Sequence, residues 1–203
     1  MKTPIISRNW AMPNSLTFRI EPLKQIIIKH SRGVVLDPFS NDGIIQYSLP
    51  NCRYIGNDIN PEMKAEHHVD ATDFLETYAD CSVDTVLYDP PYSPRQVKEC
   101  YDGFGLDITQ EDTQASFWSK HKDEIARVLK VGGKCLSFGW NTNGIGLNRG
   151  FEIVEILLVA HGGSKNDTIC TVERKLQHQE SLVLKPPVVV ADVDVQRAFE
   201  REI

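Results

Sequence analysis

The 203 residues of this chain suffice for one α/β domain with a substantial core and little more, and no repeat or low-complexity segment divides them. A formal net charge of −6 counts against broad, unassisted binding to duplex nucleic acid, which needs a basic surface. The cysteines (Cys52, Cys81, Cys100, Cys135, Cys170) lack paired ligand spacing, which argues against a zinc site or a disulfide frame, and with no membrane-length apolar run and no signal-peptide pattern the expected location is cytoplasmic.

Apolar runs alternate with helical or loop-like stretches, the pattern of a parallel sheet covered by helices. A helix is expected over 22–30 and a strand over 33–36, which empties into Asp37-Pro38-Phe39-Ser40-Asn41-Asp42-Gly43. A strand ending in a tight turn of small residues lets backbone approach a ligand closely, and a helix is expected after Gly43. The second strand, 53–57, closes on Asp58, placed to accept hydrogen bonds from ribose hydroxyls. Asp70 and Asp73 follow the next expected strand, and either suits an adenine amine. Three carboxylates without a phosphate-cradling lysine fit a ligand carrying adenosine and an ammonium but no phosphate. S-adenosylmethionine answers that description; a dinucleotide answers it less well.

A buried strand over 83–88 then runs into Asp89-Pro90-Pro91-Tyr92. The prolines stiffen the turn and leave carbonyls free as acceptors. A carboxylate and a carbonyl facing one crevice suit a planar, donor-rich group such as the exocyclic amine of a nucleobase, with Tyr92 available to stack on the ring. In the loop over 93–105, Arg95 and Lys98 are candidates for phosphate, and Tyr101 or Phe104 for an extruded base. A helix over 114–129 stops at Lys130-Val131-Gly132-Gly133, followed by a strand over 134–139 and by Trp140-Asn141-Thr142-Asn143 on the strand-end side. Strands over 152–160 and 168–174 are joined so briefly that an antiparallel hairpin at the sheet edge is expected, with His161, Lys165 and Asn166 as a second rim. His67-His68, lacking a third ligand, reads as surface. The domain spans 1–177; 178–203 is a tail, read as an added strand or a contact with another chain.

Four motifs in order carry a resemblance. Asp37–Gly43 resembles the Asp-Pro-Phe-x-Gly-x-Gly turn of S-adenosylmethionine-dependent amino-methyltransferases; Tyr54–Pro61 and Asp70-Ala71 resemble the next two motifs, and Asp89–Tyr92 the fourth. Asn14–Leu23 resembles the segment that closes over the methionine end in these enzymes. The run 87–96 is similar to that of adenine-specific DNA methyltransferases. The resemblance implies a Rossmann-like class I fold, α/β, with a mostly parallel sheet, an antiparallel C-terminal edge hairpin and helices on both faces. It implies S-adenosylmethionine as cofactor, with Asp37 at the methionine moiety, Asp58 at the ribose, Asp70 and Ala71 at the adenine, and Phe39 packed near the adenosine. Thr17, Phe18, Pro38, Gly43, Ile59 and Asp89 complete the implied cofactor set. The catalytic set is Asp89, Pro90, Pro91 and Tyr92, and the substrate set Tyr92, Arg95, Lys98, Lys165 and Asn166, with no metal. Asn41 departs from the pattern, standing where the family has its first turn glycine; Asn tolerates the left-handed conformation better than most residues.

Methyl transfer to such an amine needs the nitrogen lone pair freed from the ring. Acceptors on the two amine hydrogens favour that rehybridisation and stabilise the growing positive charge. The residues alone specify a planar amine; the resemblance narrows it to adenine N6 in DNA. Structured ribosomal or transfer RNA is the alternative substrate, and a noncatalytic scaffold subunit the alternative class. The expected partners are nucleic acid, DNA ahead of RNA, and a second subunit or homodimer contact through the tail; no membrane is expected.

Overall fold

The computed structural model describes residues 3–93, 95–96, 115–163 and 165–176. Its strands are β1 (Ile5–Trp10), β2 (Val34–Asp37), β3 (Arg53–Gly56), β4 (Val83–Tyr88), β5 (Leu129–Gly139), β6 (Phe151–Ala160) and β7 (Thr168–Lys175). Its α-helices are α1 (Glu21–His30), α2 (Ala71–Glu76) and α3 (Ala115–Val128). The strands form one sheet in the order β1-β6-β7-β5-β4-β2-β3. Only β7 runs against its neighbours, β5 and β6.

Alternation along the central strands builds two cores, one on each face of the sheet. Val35, Leu87 and Leu136 point to the side covered by α1, where they meet Leu23, Ile26 and Ile27. Their neighbours Leu36, Val86 and Cys135 point to the side covered by α2 and α3, where they meet Phe74, Leu75 and Ile125. Helices thus cover both faces, as expected.

Where α3 gives way directly to β5, carbonyls at the helix end need donors. Lys175, fully buried, supplies them: its ammonium donates to the Ala126 and Leu129 carbonyls at 2.5 and 2.7 Å. Residues 130–133 then bulge out of the ladder, since Val83 pairs with Leu129 but Thr85 with Lys134. Gly132, at φ 83°, makes that bulge possible.

Three features depart from the sequence reading. The segment after Gly43 forms a five-residue 3-10 helix, Ile44–Ser48, in place of an α-helix. No strand precedes Asp70 among the described residues, only a single bridge between Asn57 and His67. The Asn57 side chain takes over the ladder's role, donating to the Val69 carbonyl at 3.0 Å and accepting from its amide at 3.1 Å. Finally, β1 pairs in parallel with β6, so the antiparallel hairpin lies one strand in from the rim. Five of the six β1 residues are exposed, which left no apolar periodicity to reveal it. Gln114, Lys98, Tyr101, Phe104 and the tail lie outside the described residues.

Candidate active site

The turns at the ends of β2, β3 and β4 open into a crevice of about 540 Å³. Parallel packing of these strands brings the separated acids together. The lining includes Thr17, Phe18, Pro38, Phe39, Asp58, Ile59, Asp70, Ala71, Asp89, Pro90, Pro91 and Tyr92, so most of the expected cofactor set converges here.

Two expected members lie behind the wall. Asp37 is fully buried; its carboxyl accepts from the Tyr54 hydroxyl at 2.7 Å and the Phe39 amide at 3.3 Å. Burial pushes it up to about 8 against those donors, and the nearby Asp89 and Asp58 carboxylates add to the rise. Gly43, at φ 61°, also sits outside the lining; a β-carbon there would come within 2.8 Å of the Lys64 carbonyl. Asn41 takes the left-handed conformation at φ 50°, so the turn closes without its first glycine.

Asp58 links that turn to the end of β3. Its carboxylate accepts from the Asn41 amide at 2.8 Å and from the Asn60 amide at 2.9 Å. Each oxygen keeps a lone pair for a further donor. Asp70 caps α2, accepting from the Thr72 amide at 2.7 Å, while exposed Asp73 stands one turn away from the crevice. The segment before α1 forms a 3-10 turn, Thr17–Arg19, that lines the crevice and is held by Arg19 to Asp42 at 2.5 Å.

At the Asp89–Tyr92 turn, the Tyr92 hydroxyl donates to the Asp89 carboxylate, which Thr17 also contacts. Burial raises the Asp89 carboxyl despite these donors, and burial beside Asp89 raises the Tyr92 phenol. The Tyr92 ring meets Trp140 edge to face, centroids 5.5 Å apart. Trp118 donates its indole hydrogen to the Pro91 carbonyl at 2.9 Å. Among the described residues nothing donates to the Pro90 carbonyl, so the Asp89 carboxylate and that carbonyl are the acceptors this turn offers.

A second crevice, about 260 Å³, shares Pro90 and Tyr92 with the first and is walled by Tyr88, Trp118, Lys122, Ser137, Trp140, Asn141 and Asn143 among others. Sequence reasoning noted Trp140–Asn143 but missed Trp118 and Lys122. Their i, i+4 spacing on α3, one face of the helix, was the available signal. It also missed His121, buried against Phe39 and Tyr88 at ring separations of 5.5 and 6.1 Å and pushed down to about 4 by burial.

The expected substrate-binding side chains are less gathered. Arg95 is exposed and outside both linings, and Lys98 lies beyond the described residues. Lys165 and Asn166 are exposed in the hairpin loop, at the crevice end of the sheet because Ile169 pairs with Gly139. His161 is buried and structural: its ring nitrogens lie 2.9 Å from both the Ala11 carbonyl and the Thr168 hydroxyl.

No family model matches the chain, and a search of curated proteins gives no match. Solved structures do match. TrmN from Thermus thermophilus superposes with a TM-score of 0.53 at 17% identity, over 77% of this chain and 49% of that one. This chain therefore spans about half the length of that protein. The 1,6-didemethyltoxoflavin-N1-methyltransferase of Burkholderia thailandensis, solved with bound 1,6-didemethyltoxoflavin and S-adenosylhomocysteine, superposes at 0.53 and 14% identity over 77% of each chain. The N-methyltransferase NodS from Bradyrhizobium japonicum WM9 does so at 0.53 and 10% identity, over 77% of this chain and 96% of that one. With its mostly parallel seven-stranded sheet and these likenesses, the chain has the Rossmann-like fold of class I methyltransferases.

Proposed function

We propose that this chain is an S-adenosylmethionine-dependent methyltransferase acting on the exocyclic amine of a nucleobase, adenine N6 in DNA. The observation that carries the reading is the meeting of two crevices at Pro90 and Tyr92, with the Asp89 carboxylate in the lining of the larger.

The larger crevice fits the cofactor chemically. Asp42, Asp58, Asp70 and Asp89 line it, and its one basic side chain among the described residues, Arg19, is paired with Asp42. Such a lining suits hydroxyls, an amine and an ammonium, and repels phosphates. When bound, S-adenosylmethionine supplies an electrophilic methyl on sulfonium. Asp58 then holds the ribose hydroxyls, Asp70 with Ala71 the adenine edge, and Phe39 packs against the adenosine. Thr17 and Phe18 close the mouth, and Asp37 supports the turn from behind.

On the other side, Asp89 and the Pro90 carbonyl accept the two amine hydrogens. This frees the nitrogen lone pair and stabilises the charge that grows on it. The Tyr92 hydroxyl donates to Asp89, so the incoming amine takes over that acceptor and the tyrosine ring stacks on the substrate. The position of Lys165 at the crevice end supports a nucleic-acid substrate reached by few phosphate contacts. A second reading, a free heteroaromatic amine, draws support from the net charge of −6 and from a second crevice lined by one lysine. A further subunit or second copy, contacting 178–203, belongs to the same proposal as a source of sequence selectivity.

Asp89→Ala tests the assignment. S-adenosylmethionine affinity should hold while turnover falls by several orders of magnitude, because Asp89 acts on the transition state. Turnover within tenfold of wild type would overturn it.

A further inference from the structure

Lys122 stands out among the side chains at the methyl-transfer junction. It projects from α3 one turn beyond Trp118 and lines the second crevice. It is partly buried, yet makes no hydrogen bond and no ion pair among the described residues. The described residues around it do not satisfy it. Arg149 is spent on Asp123 at 2.6 Å and repels it. Glu173 attracts it, but that carboxylate is already held by the Ile145 and Gly146 amides at 2.5 and 3.0 Å. Burial and Arg149 accordingly push the ammonium down. A partly desolvated ammonium with three donors and no acceptor among the described residues is a costly feature to keep unless a ligand completes it. The walls around it are planar and aromatic: Trp118, Trp140, Tyr88 and Tyr92.

We propose that Lys122 is the specificity-determining contact of the methyl-acceptor site, binding a hydrogen-bond acceptor of negative potential on the substrate while Asp89 and the Pro90 carbonyl take its amine. The inference rests on the methyltransferase reading and narrows the substrate class. The ring must carry an amine at one edge and an acceptor within reach of Lys122, as adenine does through its ring nitrogens. A phosphate attached to the same nucleoside offers the same chemistry. An amine-bearing ring without such an acceptor binds more weakly, because it leaves the partly buried ammonium without an acceptor.

The experiment titrates the S-adenosylhomocysteine-saturated protein with adenosine and, in a second arm, with adenosine 5′-monophosphate, following the quenching of tryptophan fluorescence. Lys122→Met should raise the dissociation constant about tenfold or more, as for loss of a hydrogen bond to a charged group. Lys122→Arg should recover part of that loss, and S-adenosylhomocysteine affinity should not change in either variant, which also reports that both fold. Trp140→Ala, at an exposed wall residue, should weaken both ligands. Loss in both arms assigns the contact to the ring; loss confined to the monophosphate assigns it to phosphate. Unchanged binding of both ligands in Lys122→Met overturns the proposal, as does failure of both to bind wild type that binds S-adenosylhomocysteine. Failure of S-adenosylhomocysteine itself to bind removes the methyltransferase reading, and this inference with it.

Discussion

Asp37 and Asp58 share a motif-like spacing and have opposite environments. Asp58 stands in the crevice wall, where the Asn41 and Asn60 amides hold its carboxylate. Asp58→Ala should weaken S-adenosylmethionine by about 1.5–3 kcal/mol in calorimetry, the cost of losing hydrogen bonds to a charged acceptor. Unchanged affinity would remove the ribose assignment. Asp37 is buried under Tyr54, and burial raises its carboxyl from the ordinary 3.8 to about 8. A raised folded value means that the contribution of the neutral carboxyl is complete below about pH 4, its unfolded value, and is lost as pH rises through about 8. The melting temperature of wild type should therefore fall relative to Asp37→Asn between those limits, and parallel curves would contradict the buried neutral acid. The sequence showed both acids at their strand ends. It did not show the partition between them, because that depends on Tyr54, one strand over, reaching its hydroxyl across to Asp37.

Among the secondary-structure elements, legibility followed apolar periodicity. The buried strands β2 and β4 and the amphipathic helices α1 and α3 were readable because their apolar residues repeat at the periods of their cores. β1 was not, since backbone pairing to β6 holds it while its side chains face solvent. The strand expected before Asp70 failed for the converse reason: one asparagine side chain, Asn57, replaces a ladder. The junction of α3 with β5 shows an element end set by a distant residue. Lys175, 46 residues beyond Leu129, donates to the buried carbonyls at that helix end. Lys175→Met keeps the length of the side chain and removes the donor. It should lower stability in chemical denaturation by about 1–3 kcal/mol, the cost of leaving buried carbonyls unsatisfied. A midpoint matching wild type would mean that water or another group serves them.

Taken as a whole, the molecule sets a cofactor-sized crevice and a smaller aromatic crevice side by side at the strand ends, on a chain of net charge −6. Asp58 and Asp89 of the larger crevice were legible because each follows a strand. The smaller crevice was not, since Trp118 and Lys122 reach it from a helix separated from Asp89–Tyr92 in sequence, and Trp140–Asn143 from the end of β5. The substrate side read from the sequence, Arg95, Lys98, Lys165 and Asn166, relied on charge in loops, a signal that does not say where a side chain sits. Acidic charge predicts that nucleic acid is bound through few phosphates, with a shallow dependence of affinity on salt. Incubating the chain with labelled S-adenosylmethionine and with separate DNA and RNA pools, then analysing the nucleosides by mass spectrometry, tests the central claim most directly. The account predicts labelled N6-methyladenine in the DNA pool, lost in Asp89→Ala; methylation at a ring carbon or a ribose oxygen would contradict it.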